Sequence, residues 1–368
     1  MASLIATRAR IAQLDTEIEK LRQLMDSLLA EREQCQQVLA DYKYPVLTLP
    51  AEITSEIFMQ FLPSYPHRPS FVEFQSPSFL LQICRRWRDV ALATPALWST
   101  MELLLYNSPH HAQQRDLLKM WLQRSGSFAL SILFDYYKES ADDEPLIQEC
   151  IEALLDHAWR WQDIDITFSF EELCKITGAM PLLRSVTIGI ERGEERPETP
   201  VVLFADAPAL KHVDLHASFN PFILTLPWSQ ITSLTAKALY VKEAVEILRH
   251  TTILEDCTLN IYPNEPGPPT DFSIPSLPLR SLRLQCVGGG TDEMRQLFRA
   301  LHLPALQTLL VHEGFLGPDP VATLSAVRPN GYPQNIEILG ARNSRQVYQA
   351  AFPLASLTVV TPPLQEWD

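Results

Sequence analysis

The sequence predicts an α+β protein of several domains, in which a long helix and a small helical unit precede an α/β solenoid with a curved parallel sheet. Residues 4–42 lack glycine and proline, and their apolar positions recur at alternating steps of three and four, as in a coiled coil. Residues 46–98 carry shorter stretches of helical spacing, and an apolar triplet then recurs at intervals in the twenties. We therefore predict three domains, at residues 1–44, 45–100 and 101–368.

Composition favours a folded chain that does not bind nucleic acid. Of the 368 residues, 46% are apolar and 20% are charged, an ordinary balance for a globular protein. The formal net charge is −14, and no stripe of lysine and arginine interrupts the acidic excess, so the chain would repel a phosphate backbone. We expect protein partners and no nucleic acid.

The cysteines and the N-terminal residues indicate a reducing compartment, cytoplasmic or nuclear. The cysteines are scattered without a C-x-x-C pair, so we expect buried free thiols in preference to disulfides or a metal site. They are Cys35, Cys84, Cys150, Cys174, Cys257 and Cys286. The N-terminus holds no apolar run long enough for a signal peptide, and no run reaches the length of a membrane span.

The first domain is predicted to be a helix with a narrow apolar seam. The seam consists of Leu4, Ile11, Leu14, Ile18, Leu21, Met25, Leu28, Cys35, Leu39 and Tyr42. Arg32 interrupts it once, Thr7 is a second weak position, and charged residues lie between the seam positions. Such a stripe has to be buried against another surface. Coiled-coil self-association or a partner helix would bury it, and so would folding back on the same chain; the sequence leaves both open.

Helix signals mark the second domain. Pro50 and Glu52 suit the first turn of a helix, and Ser76–Pro77 provides a second start signal. The first helix has its apolar face at Ile53, Ile57, Phe58, Phe61 and Leu62. The second has its apolar face at Leu80, Ile83, Cys84, Trp87, Val90 and Ala91. Between them, residues 63–77 hold four prolines and predict an irregular loop.

The order of these signals resembles an F-box. The resemblance rests on LPAEI at 49–53, IF at 57–58, ICRRWR at 83–88 and PALW at 95–98. With the preceding helix and the junction YPVLTLP at 44–50, the chain is similar to F-box proteins of mushroom-forming fungi. Many F-boxes have a short helix containing Asp-Leu where this chain has its proline-rich insertion, so the middle of the docking surface departs from the family pattern.

The resemblance implies a partnership and a role. F-boxes pack against the small Skp adaptor, which a cullin scaffold and its RING partner carry, and the variable body binds a protein substrate. The implied Skp interface consists of Leu49, Pro50, Ile53, Ile57, Phe58, Leu62, Leu80, Cys84, Trp87 and Trp98. The chain would then be a non-catalytic substrate adaptor of a Skp–cullin–F-box (SCF) ubiquitin ligase, without cofactors, in ubiquitin-dependent degradation. A scaffold that uses the same surfaces outside a ligase is the alternative.

The third domain carries a countable repeat. Its triplets are Trp161-Ile164-Ile166, Leu183-Val186-Ile188, Leu210-Val213-Leu215, Ile231-Leu234-Ala236, Leu254-Cys257-Leu259, Leu279-Leu282-Leu284, Leu306-Leu309-Val311 and Leu354-Leu357-Val359. Successive starts are 21 to 27 positions apart until the last gap of 48, where Ile336-x-Ile338 fits a missing member. This pattern is typical of leucine-rich repeats, although the usual Asn or Cys after the third position is absent, so we describe it as leucine-rich-repeat-like. Each triplet predicts a strand with a helical or irregular return.

Further helices and one strand are predicted around this ladder. The returns at Val241–His250 and Thr291–Leu301 have helical spacing. Before the ladder, we expect helices at His110–Arg124 and Glu144–Trp161 around a strand at Ala129–Tyr136. These would be divergent first repeats that cap the solenoid.

Enzymatic motifs are missing from the sequence. Gly288–Gly290 lacks the lysine and hydroxyl of a phosphate loop, and no G-x-S-x-G elbow is present. The pair His110–His111 lacks companions at metal-ligand spacing, and the acidic stretches 142–144 and 191–198 are predicted to be solvated loops. The sequence therefore predicts no catalytic residues and no metal site.

Overall fold

The structure, a computed structural model, describes residues 2–41, 45–72, 74–106, 111–137, 144–190, 200–216, 220–263, 270–286, 290–327, 333–341 and 343–360. These residues have an α+β fold with a long N-terminal helix and a large parallel sheet. The chain divides into two compact units, Met1–Ile57 and Phe58–Asp368. This division falls inside the predicted second domain, at neither of its ends.

The helices are α1 Ala2–Asp41, α2 Ala51–Phe61, α3 Pro77–Leu80, α4 Arg85–Leu92, α5 His111–Arg124, α6 Glu144–Leu155, α7 Phe170–Cys174, α8 Val241–His250, α9 Asp292–Ala300, α10 Pro320–Val327 and α11 Arg345–Ala351. Short 3-10 helices occur at Pro45–Thr48, Pro95–Trp98, Ala158–Arg160, Trp228–Gln230 and Glu313–Phe315. Among the described residues, no helix is both long and apolar enough to cross a bilayer.

The strands are β1 Thr100–Leu105, β2 Leu130–Tyr136, β3 Trp161–Phe168, β4 Ser185–Ile190, β5 Val201–Val202, β6 His212–Leu215, β7 Leu224–Thr225, β8 Ser233–Tyr240, β9 Asp256–Tyr262, β10 Ser281–Cys286, β11 Thr308–His312, β12 Asn335–Leu339 and β13 Ser356–Val360. Within the described ranges, β5 pairs with β7 and the other 11 strands form one open sheet in the order β1-β2-β3-β4-β6-β8-β9-β10-β11-β12-β13. Each neighbouring pair in this sheet is parallel.

The predicted N-terminal helix is confirmed. Helix α1 runs for 40 residues. Pro45, the first described residue after it, lacks the backbone N–H that a continuing helix requires. Its seam position Tyr42 lies outside the described residues. The apolar side chains of α1 stay exposed, from Leu14 at 40% to Ile5 at 69%.

The apolar triplets counted in the sequence fall on consecutive strands. Their second members pair in register along the sheet from Ile164 of β3 to Leu357 of β13, and the third members follow from Ile166 to Val359. The missing member, Ile336-x-Ile338, lies on β12 in the same two rows. The period of the sequence therefore equals one strand and one return.

The sheet buries these rows on one face. Ile164, Val186, Leu259 and Leu284 are each at most 2% exposed. Parallel sheets are stable when helices or returns cover the apolar face, and α8 and α9 do so here with buried residues such as Ile247 and Phe298. Helix α8 has the predicted bounds, and α9 starts after Thr291, whose hydroxyl accepts a hydrogen bond from the Met294 amide.

Four features differ from the sequence predictions. Strand β1 was not predicted, and helix α6 ends at Leu155 because Trp161 opens β3. The expected second helix of residues 77–92 is two helices, since Cys84 is extended and caps α4 through a contact with the Trp87 amide. Leu354, the first member of the last triplet, is 97% exposed because no later described strand packs beside β13.

The cysteines are all free thiols, as expected, but only Cys150 and Cys257 are fully buried. Cys84 and Cys286 are half-buried, while Cys35 and Cys174 are exposed, which corrects the expectation that all six are buried. Burial raises the pKa of Cys150 to about 12 and raises the pKa of Cys257 as well. These two thiols therefore stay protonated at mildly alkaline pH.

Thiol labelling should separate the buried cysteines from Cys174. A disulfide reagent attacks only the thiolate of an accessible cysteine, so the exposed Cys174 should react rapidly. Cys150 and Cys257 should react at least about a hundredfold more slowly, because raised pKa values deplete the thiolate and burial blocks access. Site-resolved mass spectrometry checks this, and equal rates in the native and denatured protein would contradict the packing around α6 and β9.

Candidate functional site

Helix α2 presents an exposed apolar pair in the first unit. It begins after Pro50, carries Glu52 in its first turn, and the Thr54 hydroxyl donates a hydrogen bond of 3.0 Å to the Pro50 carbonyl. Ile53 and Ile57 lie one helical turn apart and are 51% and 48% exposed. Two neighbouring isoleucines left half in water are suited to a protein partner.

The structure places the ten predicted interface residues in two groups. Seven reach the surface at least partly: Leu49, Pro50, Ile53, Ile57, Leu62, Cys84 and Trp87. Phe58, Leu80 and Trp98 are at most 2% exposed. A side chain without accessible area cannot contact a partner in this arrangement, so direct contact by these three residues stays a prediction, and the structure shows them packed in the core of the second unit.

Trp87 packs against the core of the second unit. Its ring lies edge-on to that of Phe58, with centroids 5.0 Å apart, and it is half-buried. The amide of Trp87 contacts the Cys84 sulfur at 3.5 Å, which fixes the start of α4. Trp87 therefore positions α4 in addition to presenting part of its ring.

Sequence reasoning missed a cluster of three phenylalanines in the second unit. Phe61, Phe74 and Phe79 contact one another with ring centroids 5.6, 6.1 and 5.3 Å apart. Phe74 is 72% exposed and Phe79 is 37% exposed. Aromatic side chains at the surface supply much of the binding energy in protein interfaces. Phe74 lies in the proline-rich insertion, which the sequence analysis treated only as an irregular loop.

The same insertion is anchored to the sheet. Arg68 is only 9% exposed, and its Nε donates a hydrogen bond of 3.0 Å to the Ser131 hydroxyl of β2. Two residues later, Ser70 forms a parallel bridge with Glu102 of β1. The insertion, predicted as an irregular loop, thus extends the sheet beyond β1 through this bridge.

Charge reinforces this anchor. Burial lowers the pKa of Arg68, and Asp165 and Asp163 of β3 oppose that shift. Burial likewise raises the pKa of Asp165, and Arg68 opposes it. Arg68 and Asp165 therefore favour each other's charged forms where solvent is partly excluded.

Replacing Arg68 with alanine should destabilise the second unit by about 2–3 kcal/mol, because Ser131 loses its donor and Asp165 its nearby cation. Chemical denaturation of the full chain measures this. Arg85→Ala, at an exposed arginine of α4, is the matched control and should change stability by less than about 0.5 kcal/mol. Equal effects of the two substitutions would show that the insertion is not anchored through Arg68.

The solvent-facing side of the sheet offers a second candidate surface. One register row crosses the large sheet through Thr100, Ser131, Asp163, Ser185, His212, Ser233, Asp256, Ser281, Thr308, Asn335 and Ser356. Every member is polar and none is buried. A continuous polar row beside buried apolar rows is a surface that can hydrogen-bond an extended partner.

One pair of residues has the arrangement of a thiol nucleophile and its base. The Cys286 sulfur lies 2.9 Å from Nδ1 of His312, at the ends of β10 and β11. The Gly314 amide donates a hydrogen bond of 3.1 Å to the same nitrogen, so the lone pair that a base would use is already engaged. The adjacent carboxylate of Glu313 accepts hydrogen bonds from Tyr348 at 2.7 Å and from Asn343 at 3.3 Å. The Glu313 carboxylate therefore bonds to Tyr348 of α11 and to Asn343 just before this helix, and it stabilises the last return.

In the part of the chain that the structure describes, no three His, Cys, Asp or Glu side chains lie close enough together to hold a metal ion. His110 and the acidic residues 142–143 and 191–198 lie outside that part, as do Gly288 and Gly289.

In comparisons with known proteins, neither a protein-family model nor a curated protein matches this chain.

Proposed function

We propose that the chain is a non-catalytic substrate adaptor of an SCF ubiquitin ligase, with residues 45–100 acting as an F-box that binds Skp. A leucine-rich-repeat-like body, residues 101–368, binds the target. The observation that carries the proposal is the apolar surface of the segment with F-box-like motifs, where Ile53 and Ile57 are about half exposed. Apolar side chains that a folded chain leaves in water mark protein-binding surfaces.

The insertion bears on how Skp would bind. Phe74 and Phe79 offer aromatic area where the family pattern has a short helix. We propose that the phenylalanine cluster takes over part of that contact, so that the insertion remodels the docking surface. Trp87 supports α4 from its half-buried position.

The repeat body has the properties of a target-binding platform. Its apolar rows stabilise a sheet of 11 parallel strands among the described residues, and no member of its polar row is buried, although Arg68 contacts the row at Ser131 and Asp163. Repeat proteins bind partners over such extended surfaces. We propose that a protein target lies across this row, with hydrogen bonds from serine, threonine and aspartate side chains selecting it.

The proposed mechanism needs no covalent step on this chain. Binding Skp and a target at the same time would place target lysines near the ubiquitin-charged conjugating enzyme that the cullin–RING pair carries. The gain is one of effective concentration, because a bimolecular encounter becomes an intramolecular one. The non-ligase scaffold remains the second candidate function, and it would use the same two surfaces.

Co-purification with Skp and a cullin–RING pair tests the proposal. The full chain should recover both partners, and a full-length variant with Ile53→Asp and Ile57→Asp should recover neither. Deleting residues 46–100 would be a poor control, because it removes Trp98 and Phe58 from the core. Recovery of Skp without cullin would favour the scaffold, and recovery of neither by the unmodified chain would refute both.

Substitution of Cys286 separates the adaptor from an enzyme. Cys286→Ala removes the thiol that lies against His312 and should leave Skp recovery and target ubiquitination unchanged. Loss of target modification with normal Skp recovery would instead indicate thiol catalysis on this chain.

A further inference from the structure

The exposed apolar stripe of α1 needs a partner. Helix α1 has 40 residues, and its large apolar side chains from Leu4 to Leu39 are between 40% and 69% exposed. Helices in proteins owe most of their stability to the packing of an apolar face rather than to intrinsic propensity. A helix of this length with its stripe in water is therefore incomplete on its own.

We infer that α1 forms a parallel, in-register, two-stranded coiled coil with α1 of a second copy of this chain. The inference does not depend on the proposed function. In the heptad abcdefg, the a positions are Leu4, Ile11, Ile18, Met25, Arg32 and Leu39, and the d positions are Thr7, Leu14, Leu21, Leu28 and Cys35. β-Branched residues at a with leucine at d favour two parallel strands, and the two heptads that begin at Ile11 and Ile18 have that composition.

The residues flanking the seam match across a parallel pair. In that arrangement a g residue faces the e residue five positions later on the other helix. Arg10 then faces Asp15, and Glu17 faces Arg22. One heptad further on, both flanking positions are apolar, so Leu24 meets Leu29; these two are 56% and 43% exposed in the single chain. These three pairs match in charge or in apolar character, whereas Glu31 faces Gln36 and Val38 faces Lys43, which are neutral to the choice of register.

Antiparallel pairing matches less well. With the helices fully overlapped, Glu17 would face Glu31 and Arg22 would face its own copy, so like charges meet. Sliding the helices by one heptad restores opposite charges but sets Leu24 against Glu17 and leaves Leu29 beside an arginine. Of these three arrangements, only the parallel register pairs Arg10 with Asp15, Glu17 with Arg22 and Leu24 with Leu29 at the same time.

Arg32 fits the same register at a cost. As an a residue it enters a hole formed by Leu28, Glu31, Arg32 and Cys35 of the second copy. The two Arg32 side chains repel, whereas the Glu31 carboxylate at the edge of each hole attracts the guanidinium of the other helix. A single polar a position lowers stability but fixes register and strand number. Arg22 also contacts Glu19 of its own helix at 3.8 Å, an exposed contact that competes weakly with Glu17.

Sedimentation equilibrium of the full chain tests association. The chain should be a dimer, and a variant with Leu14→Asp and Leu21→Asp should be a monomer with unchanged unfolding of the second unit. Ile5→Asp is the matched control, because Ile5 is 69% exposed but occupies a b position outside the seam. Dimers should survive in this control. A monomeric unmodified chain at all accessible concentrations, or dimers insensitive to the seam substitutions, would overturn the inference.

Crosslinking of Cys35 tests orientation. Diamide oxidises two thiols to one disulfide, accepting the two protons and two electrons that they lose. In the parallel register the two Cys35 thiols share a d layer, whereas antiparallel pairing sets Cys35 near Ile11 or Leu4, more than about 30 Å from its counterpart. A Cys174→Ser variant should therefore crosslink rapidly through Cys35. Dimers that fail to crosslink under these conditions would overturn the parallel register.

Charge exchange tests the flanking pairs. Glu17→Arg or Arg22→Glu alone should weaken the dimer about tenfold, because each sets like charges against each other at both symmetric contacts. The two substitutions together should restore the original affinity. Additive weakening in the double variant would show that Glu17 and Arg22 do not meet across the interface.

Discussion

Replacing Ile53 and Ile57 together by aspartate should abolish Skp binding while the protein stays folded. Burying one isoleucine contributes about 1.5–3 kcal/mol, and a buried unpaired carboxylate adds a further penalty. Losing both isoleucines should weaken the complex by at least roughly a hundredfold. Because both side chains are about half exposed, the substitutions should have little effect on the unbound protein. Calorimetric titration of Skp measures the affinity.

The control for this prediction replaces two β-branched apolar residues whose exposure is similar to that of Ile53 and Ile57. Ile253 is 41% exposed and Val347 is 47% exposed, and both lie far along the chain from residues 45–100. Ile253→Asp combined with Val347→Asp introduces the same charge and should leave Skp affinity within about twofold of the original. Normal Skp binding by a folded Ile53→Asp, Ile57→Asp variant would remove α2 from the docking surface.

The repeat was predictable because it is a local pattern with a global consequence. The spacing of Leu279, Leu282 and Leu284 predicts a strand at these residues. The equivalent triplet one period away predicts which strand lies beside it in the sheet. Parallel pairing in register then follows, since equal strand and return lengths bring equivalent positions side by side. The helix of residues 2–41 was predictable for the same reason, as its signal recurs in every heptad.

The candidate docking site was predictable only in part. Helical spacing shows that Phe58, Leu80 and Ile53 lie on apolar faces, but it does not show which neighbours cover those faces. The structure buries Phe58 and Leu80 and leaves Ile53 half exposed. Contacts between residues far apart in sequence decide which side chains are buried. The bond between Arg68 and Ser131 is another such contact that helical spacing does not reveal. Strand β1 was not predicted although Met101, Leu103 and Leu105 alternate, because one short alternating run is a weak signal without a repeat beside it.

Dimerisation would change how an adaptor holds its target. Two copies joined through α1 would carry two target-binding bodies and two docking segments on one assembly. A target with two recognition segments would then be retained by effective concentration even when each contact is weak. This consequence rests on both proposals, and the monomeric Leu14→Asp, Leu21→Asp variant isolates it, since it should bind Skp normally while losing affinity for repetitive targets only.

Replacing Trp98 with alanine should destabilise the second unit by about 3–5 kcal/mol. Trp98 is fully buried, its indole Nε1 donates a hydrogen bond of 2.9 Å to the Ala91 carbonyl, and its ring lies edge-on to that of Trp121 at 5.3 Å. The Arg124 guanidinium covers the ring at 4.5 Å. The substitution would therefore leave a cavity where α4, α5 and the start of the sheet meet. Thermal unfolding of the full chain measures the loss.

Trp159→Ala is the control for this last prediction, because that tryptophan is 52% exposed and should cost less than about 1 kcal/mol. The comparison also decides between two roles for Trp98. As a core residue, Trp98 affects Skp binding only through folding, so lowering the temperature until Trp98→Ala is native should restore Skp affinity. As a contact residue, it would lose affinity with unchanged stability. Zero exposed area argues for the core role, in which Trp98 stabilises the packing of α4 and α5 within the second unit.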